Sequence, residues 1–182
     1  MKSLSRFWWL AGIVLFVGLA WIGLTVRLFP NTAENTPAPR PGFLAPDFEL
    51  SDLQGTAVRL SQLRGQIVLI NFWATWCPPC QAEMPALQAI YEEYQSNGFI
   101  ILGINTTSSE VVSTVPDFVT AHGLTFPILL DPQDKATSAY QITGMPTSFL
   151  VGRDGIIQQA VVGPINESVL RSWLSSAQNQ AP

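Results

Sequence analysis

The run Gln66-Ile67-Val68-Leu69-Ile70-Asn71-Phe72-Trp73 is almost unbroken in apolar side chains, and Cys77-Pro78-Pro79-Cys80 follows only three residues after it. Apolar runs of this length without alternation read as strands buried on both faces. Behind the run, Cys80, Met84, Leu87, Tyr91 and Tyr94 recur at the spacing of one helical face. A doubly covered strand passing straight into an amphipathic helix argues for a mixed α/β sheet.

The rest of the chain fits that frame. Phe48 to Leu50 and Val58 to Leu60 read as two short strands, Phe99 to Ile104 as a second buried strand and Thr125 to Leu130 as a third. A helix is expected from Ser109 to Ala121 with Pro116 interrupting it, and a short one from Lys135 to Tyr140. Thr147 to Val151 and Ile156 to Val162 pair through Gly152-Arg153-Asp154-Gly155, in which Asp-Gly is a hairpin signal. Asn166 is placed to cap a last helix whose apolar face is Val169, Leu170, Trp173 and Leu174. The predicted order is ββ, then βαβαβ, then ββα, an alternation expected of a mixed sheet flanked by helices.

Four segments divide the 182 residues. Residues 1–6 are a short basic head. From Phe7 to Val26 no residue is charged, and such a stretch makes roughly 30 Å of helix, one hydrocarbon thickness. It is longer than the apolar core of a cleaved leader, and Leu28-Phe29-Pro30-Asn31 is a poor cleavage site, so residues 7–29 are expected to be an uncleaved single-pass anchor. Lys2 and Arg6 precede it and Arg27 and Arg40 follow it. Only the free amino end tips the balance towards an N-terminus in the cytoplasm. Residues 30–41, with Pro30, Pro37, Pro39 and Pro41, read as a semi-extended linker. The segment 42–182 is a single domain with five basic and twelve acidic residues, so nucleic acid is not an expected partner.

The chain has two cysteines, Cys77 and Cys80, and one histidine, His122. Structural zinc needs about four ligands, and a copper site would need His122 brought to a very tight pair. A purely structural disulfide closing so small a loop removes little entropy from the unfolded chain. A redox pair fits better. At the start of the helix, unpaired N–H groups and the helix dipole would stabilise Cys77 as a thiolate, the attacking species. Cys80, one turn in and less exposed, would resolve a mixed disulfide. Pro79 suits the first turn, where its missing N–H has no intrahelical acceptor.

Asn71-Phe72-Trp73-Ala74-Thr75-Trp76-Cys77-Pro78-Pro79-Cys80 resembles the active-site run of the thioredoxin superfamily. Pro85 resembles the proline inside its active-site helix, and Gly144-Met145-Pro146-Thr147 the loop with its cis-proline. Ala45-Pro46-Asp47-Phe48-Glu49-Leu50, Val58-Arg59-Leu60-Ser61 and Cys80-Gln81-Ala82-Glu83-Met84-Pro85 narrow the likeness to TlpA/ResA-like membrane-anchored thioredoxins, within the AhpC/TSA-redoxin-like domains. The likeness covers residues 42–178. It implies a thioredoxin-like fold with an N-terminal β extension. It implies thiol–disulfide exchange through Cys77 and Cys80, with Glu83 acting beside them and Trp76, Met145, Pro146 and Thr147 at the substrate. It implies no metal and no organic cofactor. Protein disulfides would be the substrates, apocytochrome c among the candidates. A membrane thiol transporter of the CcdA or DsbD kind would be the electron donor. The domain would be monomeric and would face outward from a bacterial cell membrane.

Departures leave some of this open. Asn71 stands where thioredoxins carry a buried aspartate, and an amide cannot do that proton's work; it also reads as a plain hydrogen-bonded residue in a strand. Glu83 reads as an acid near the start of a helix or as the replacement proton carrier. The glutamate expected near Thr147-Ser148 in one type of cytochrome-maturation thioredoxin is missing, so that role stays open. A peroxidase reading lacks the proline it needs between Ile70 and Ala74. A binding or chaperone module using the same groove without turnover is the other alternative. His122, before Gly123, reads as a helix cap, Trp73 and Trp76 as packing and surface near the pair, and Trp173 as core.

Overall fold

A computed structural model describes residues 12–21 and 36–178. Residues 12–21 form a helix, α1. Among the described residues no helix is long and apolar enough to cross a membrane, and most of the expected anchor at 7–29 lies outside them. The chain divides between Asn35 and Thr36.

The second unit begins earlier than composition suggests. Residues 36–41, read above as the end of the linker, are bound to the domain. Pro37 bridges Leu44, Ala38 N–H donates to Leu44 O at 3.0 Å, and the Arg40 guanidinium lies 4.0 Å from the centre of the Phe43 ring. Prolines that cannot build a core still lie along one when neighbouring carbonyls and rings receive them.

Among the described residues seven strands make one sheet in the order β2-β1-β5-β4-β3-β6-β7. They are β1 (Glu49–Asp52), β2 (Ala57–Arg59), β3 (Ile67–Trp73), β4 (Phe99–Asn105), β5 (Ile128–Leu130), β6 (Thr147–Val151) and β7 (Ile157–Val162). β3, β4 and β5 run parallel to one another; the other pairings are antiparallel. The helices are α2 (Pro78–Tyr94), α3 (Thr114–Ala121), α4 (Lys135–Ala139) and α5 (Glu167–Gln178). This is the thioredoxin-like mixed sheet with helices on both faces.

Every residue of β3 is buried, as its unalternating composition requires. Its two faces serve two cores. Ile67, Leu69 and Trp73 join Cys77, Cys80, Met84, Leu87 and Ile90 of the α2 side, with Val115, Leu170 and Leu174. Val68, Ile70 and Phe72 join Phe48, Ala136, Tyr140 and Phe149 on the other face. Side-chain parity therefore turns Asn71 towards α2. The hairpin forms at the expected turn, where Gly155 takes φ +82° and Ile156 N–H bonds Asp154 Oδ1 at 2.9 Å.

Three expectations need correction. The helix expected from Ser109 starts at Thr114. Pro116 then falls in the first turn, where no N–H is needed, and so does not interrupt it. Residues Thr107–Ser109 form a separate 3-10 turn. The third strand starts at Ile128 rather than Thr125, because Thr125 N–H is taken by Gln88 Oε1 at 2.9 Å. On α5, Asn166 does cap, accepting Val169 N–H at 2.9 Å, but Val169 itself is exposed. The buried face is Leu170, Leu174 and Ala177, with Trp173 half-buried against it.

Candidate active site

The β3–α2 junction holds the two cysteines as the sequence places them. Cys77 is the N-cap of α2, followed by Pro78 and Pro79 in its first turn. The pair is closed as a disulfide with the Cα atoms 5.2 Å apart. Cys80 is fully enclosed and Cys77 nearly so. Cys77 Sγ accepts the N–H of Cys80 at 3.3 Å, the place where an orphan donor of the first helical turn meets a cap.

One turn further along α2, Glu83 is only 3% exposed. Its Oε1 accepts from Asn71 Nδ2 at 2.8 Å and its Oε2 from the Ile165 N–H at 2.8 Å. Burial pushes its carboxyl up to about 7, against the pull of the Ile165 and Asn71 hydrogen bonds. Asn71 also donates to Ser148 Oγ at 3.0 Å. The antiparallel register sets Ser148 directly opposite Asn71, so their side chains share a face. Asn71 is thus hydrogen-bonded across the sheet and to the acid of α2.

The Met145–Pro146 peptide is cis. Met145 is half-buried against the cluster that contains both cysteines, and its Sδ accepts from Thr106 Oγ1 at 3.3 Å. Thr147 is buried and donates its hydroxyl to Gly144 O at 2.7 Å. That side chain shapes the loop from within. Trp76 is the most open of the expected site residues, at 55% exposed, with its indole N–H on Ser109 O at 3.2 Å. Trp73 is enclosed packing against Phe118. His122 closes α3, its Nδ1 2.9 Å from Phe118 O.

A second group of residues was not anticipated. The segment from Thr106 to Glu110 is tied to the active-site loop at three points. Thr106 N–H donates to Trp73 O at 3.1 Å, Glu110 Oε1 accepts Thr75 N–H at 2.9 Å, and Ser109 holds Trp76. Asn105 Nδ2 donates to the other oxygen of Glu110. The cluster of small hydroxyl residues Thr106-Thr107-Ser108-Ser109 was the available signal for a loop here. A partner for Glu110 that is 35 positions away was not readable.

Together these groups set a cysteine pair at a helix N-terminus suited to thiol–disulfide exchange, with a buried carboxyl one turn further along α2 and a partly apolar rim at Trp76 and Met145. Comparison with known proteins agrees. The model of the AhpC/TSA family matches residues 41–160. The chain is 37% identical over 164 residues to the thiol-disulfide oxidoreductase ResA of Geobacillus thermodenitrificans, covering 90% of this chain and 92% of the relative. It is 33% identical to that of Halalkalibacterium halodurans over the full length of both. The crystal structure of StoA from Bacillus subtilis superposes with a TM-score of 0.64 at 33% identity, covering 71% of this chain and 96% of that one.

Proposed function

The chain belongs to the AhpC/TSA family and is a thiol–disulfide oxidoreductase, and from that premise we propose that it reduces disulfides of protein substrates outside the cytoplasm. The observation that carries this reading is the Cys80 N–H directed at Cys77 Sγ at the N-cap of α2. A sulfur so placed is favoured as thiolate.

In the reduced protein the Cys77 thiolate attacks one sulfur of the substrate disulfide. That bond breaks, a mixed disulfide forms, and the released substrate sulfur takes a proton from water. Cys80 passes its proton to Glu83 and attacks Cys77 Sγ. The Cys77–Cys80 bond forms, the second substrate thiolate leaves, and two electrons have moved to the substrate. A carboxyl held near neutrality by burial suits that proton transfer. Trp76 and Met145 supply the apolar contacts and Pro146 shapes the groove between them.

The uncharged stretch from Phe7 to Val26 is the basis for an anchor, with the domain on the outer side of a bacterial membrane. A membrane thiol transporter of the CcdA or DsbD kind would then re-reduce the pair. Apocytochrome c is the substrate the family resemblance suggests.

Trapping tests both parts. Cys77→Ser is expected to reduce exchange to the uncatalysed rate; retention of full activity would end the reading. Cys80→Ser is expected to accumulate partners on Cys77 in cells. Capture of apocytochrome c supports the maturation role, and a broad mixture makes the protein a general reductase.

A further inference from the structure

Asn71 is completely enclosed, yet its amide is only half satisfied. Nδ2 donates to Glu83 Oε1 at 2.8 Å and to Ser148 Oγ at 3.0 Å. Oδ1, equally buried, has no partner among the described residues. Buried polar atoms left in this way are uncommon and call for a physical reason.

The observed orientation suits one charge state of Glu83. Two donors, Asn71 Nδ2 and the Ile165 N–H, face its two oxygens, which is what a carboxylate requires. A protonated Glu83 is a different partner. The Ile165 N–H already occupies Oε2, so the proton belongs on Oε1, where it would meet the amide N–H donor against donor. A half-turn of the amide removes the conflict. Oδ1 then occupies the present place of Nδ2 and accepts from the Glu83 hydroxyl. Ser148, whose hydroxyl can accept or donate, reverses its own hydrogen bond to the same oxygen.

We propose that Asn71 is a two-position amide that turns with the protonation of Glu83, presenting its nitrogen to the carboxylate and its oxygen to the acid. Asn71 is then a positioning residue acting through Glu83, with Ser148 as its counterpart. A fixed donor would hold Glu83 ionised and a fixed acceptor would hold it neutral; an amide serves both, so the proton can arrive and leave. The proposal rests on Glu83 as the proton carrier.

The groups facing Glu83 make the test clean. Among the described residues they are Asn71 from β3, itself bonded to Ser148 of β6, and the backbone N–H of Ile165 ahead of α5, with Cys80 one turn earlier on α2. None is charged. Glu167 on α5 is exposed and paired with Arg171 at 2.8 Å. In the oxidised protein neither cysteine titrates.

The experiment is NMR on the oxidised full-length chain, following the Glu83 carboxyl carbon and the Asn71 side-chain amide across pH. Above the carboxyl midpoint, nuclear Overhauser contacts are expected from the amide hydrogens to Ser148 Hβ and Glu83 Hγ. Below it they should be lost, with the same midpoint. Contacts that persist on both sides of the Glu83 titration overturn the proposal. In Glu83→Gln the amide should keep one orientation at every pH; a pH-dependent loss of contacts there overturns it equally. The exchange rate of Glu83→Gln is read separately. An unchanged rate removes Glu83 from the reaction, whereas the turning of Asn71 is decided by the contacts alone.

Discussion

Glu83 and Glu110 both lie near the β3–α2 junction, and each takes two N–H donors, yet their surroundings differ. Glu83 lies one helical turn after Cys80 on α2, enclosed, with Asn71 Nδ2 and the Ile165 N–H on its oxygens. Glu110 lies at the rim, half-buried, with the Thr75 N–H and Asn105 Nδ2 on its oxygens. At Glu83, loss of water outweighs both hydrogen bonds and lifts the carboxyl to about 7. At Glu110 the same kind of bonds fasten the backbone that leads into Cys77. Two hydrogen bonds therefore do not by themselves keep an enclosed carboxyl in its ordinary range; loss of water can outweigh them.

The largest effect expected from breaking this contrast is at the floor. Glu83→Gln keeps the shape and removes the ionisation. Exchange near neutral pH is expected to fall on the order of 100-fold, and the limb of the pH–rate profile near 7 should vanish. Stability should move the other way. With an ordinary value of 4.5 and a folded value of about 7, the native state holds the extra proton between those limits. Stability is thus full below about 4.5, falls as pH rises through 7, and stays reduced above by about 3 kcal/mol. Urea denaturation at pH 5 and pH 8 should show that fall in the parent and not in Glu83→Gln. A variant as pH-sensitive as the parent would contradict the assignment.

A smaller effect is expected at the rim. Glu110→Ala leaves the Thr75 N–H and the Asn105 amide without their acceptor, a loss on the order of 2 kcal/mol for charge-assisted bonds. Exchange should fall several-fold as the backbone before Cys77 loosens, with no displacement of the limb near 7. Glu110→Gln, whose amide oxygen can still accept, should recover most of the rate. If Glu110→Ala moved the pH limb instead, the brace and the proton carrier would not be separable, and the contrast would fail.

The floor was largely legible in the sequence because local rules position it. An unalternating apolar run buries both faces of β3, its period of two turns Asn71 towards α2, and the spacing from Cys80 to Glu83 is one helical turn. Asn166 and Asp154-Gly155 were legible for the same reason, since a cap and a tight turn are decided within a few residues. The rim was not. Its braces join Thr75 to Glu110 and Met145 to Thr106, pairs far apart in the chain that meet only because β3, β4 and β6 are neighbours in the sheet. The α3 boundary failed because Pro116 reads equally as an interruption or as a first-turn residue. The hydroxyl of Thr147 closing on Gly144 O was likewise not readable.

The smallest effect, and the one that probes the rim's outward face, is at Trp76. The ring is 55% exposed, and Val111, which lines the same shallow cavity just after Glu110, is 66% exposed. Removing a side chain already in water costs little on folding, so Trp76→Ala should change stability by less than about 1 kcal/mol. A protein substrate that covers the ring would remove its apolar face from water, and that contribution is lost in the variant. KM for a protein disulfide is therefore expected to rise several-fold while kcat holds. A small soluble disulfide, which reaches the sulfur without covering the ring, should be reduced at the parent rate. Trp76→Phe keeps most of the apolar face and drops only the bond to Ser109, so it should lie close to the parent on both substrates. Equal losses on the large and small disulfides would mean that Trp76 acts on Cys77 itself, and the rim would then take part in the chemistry rather than in docking.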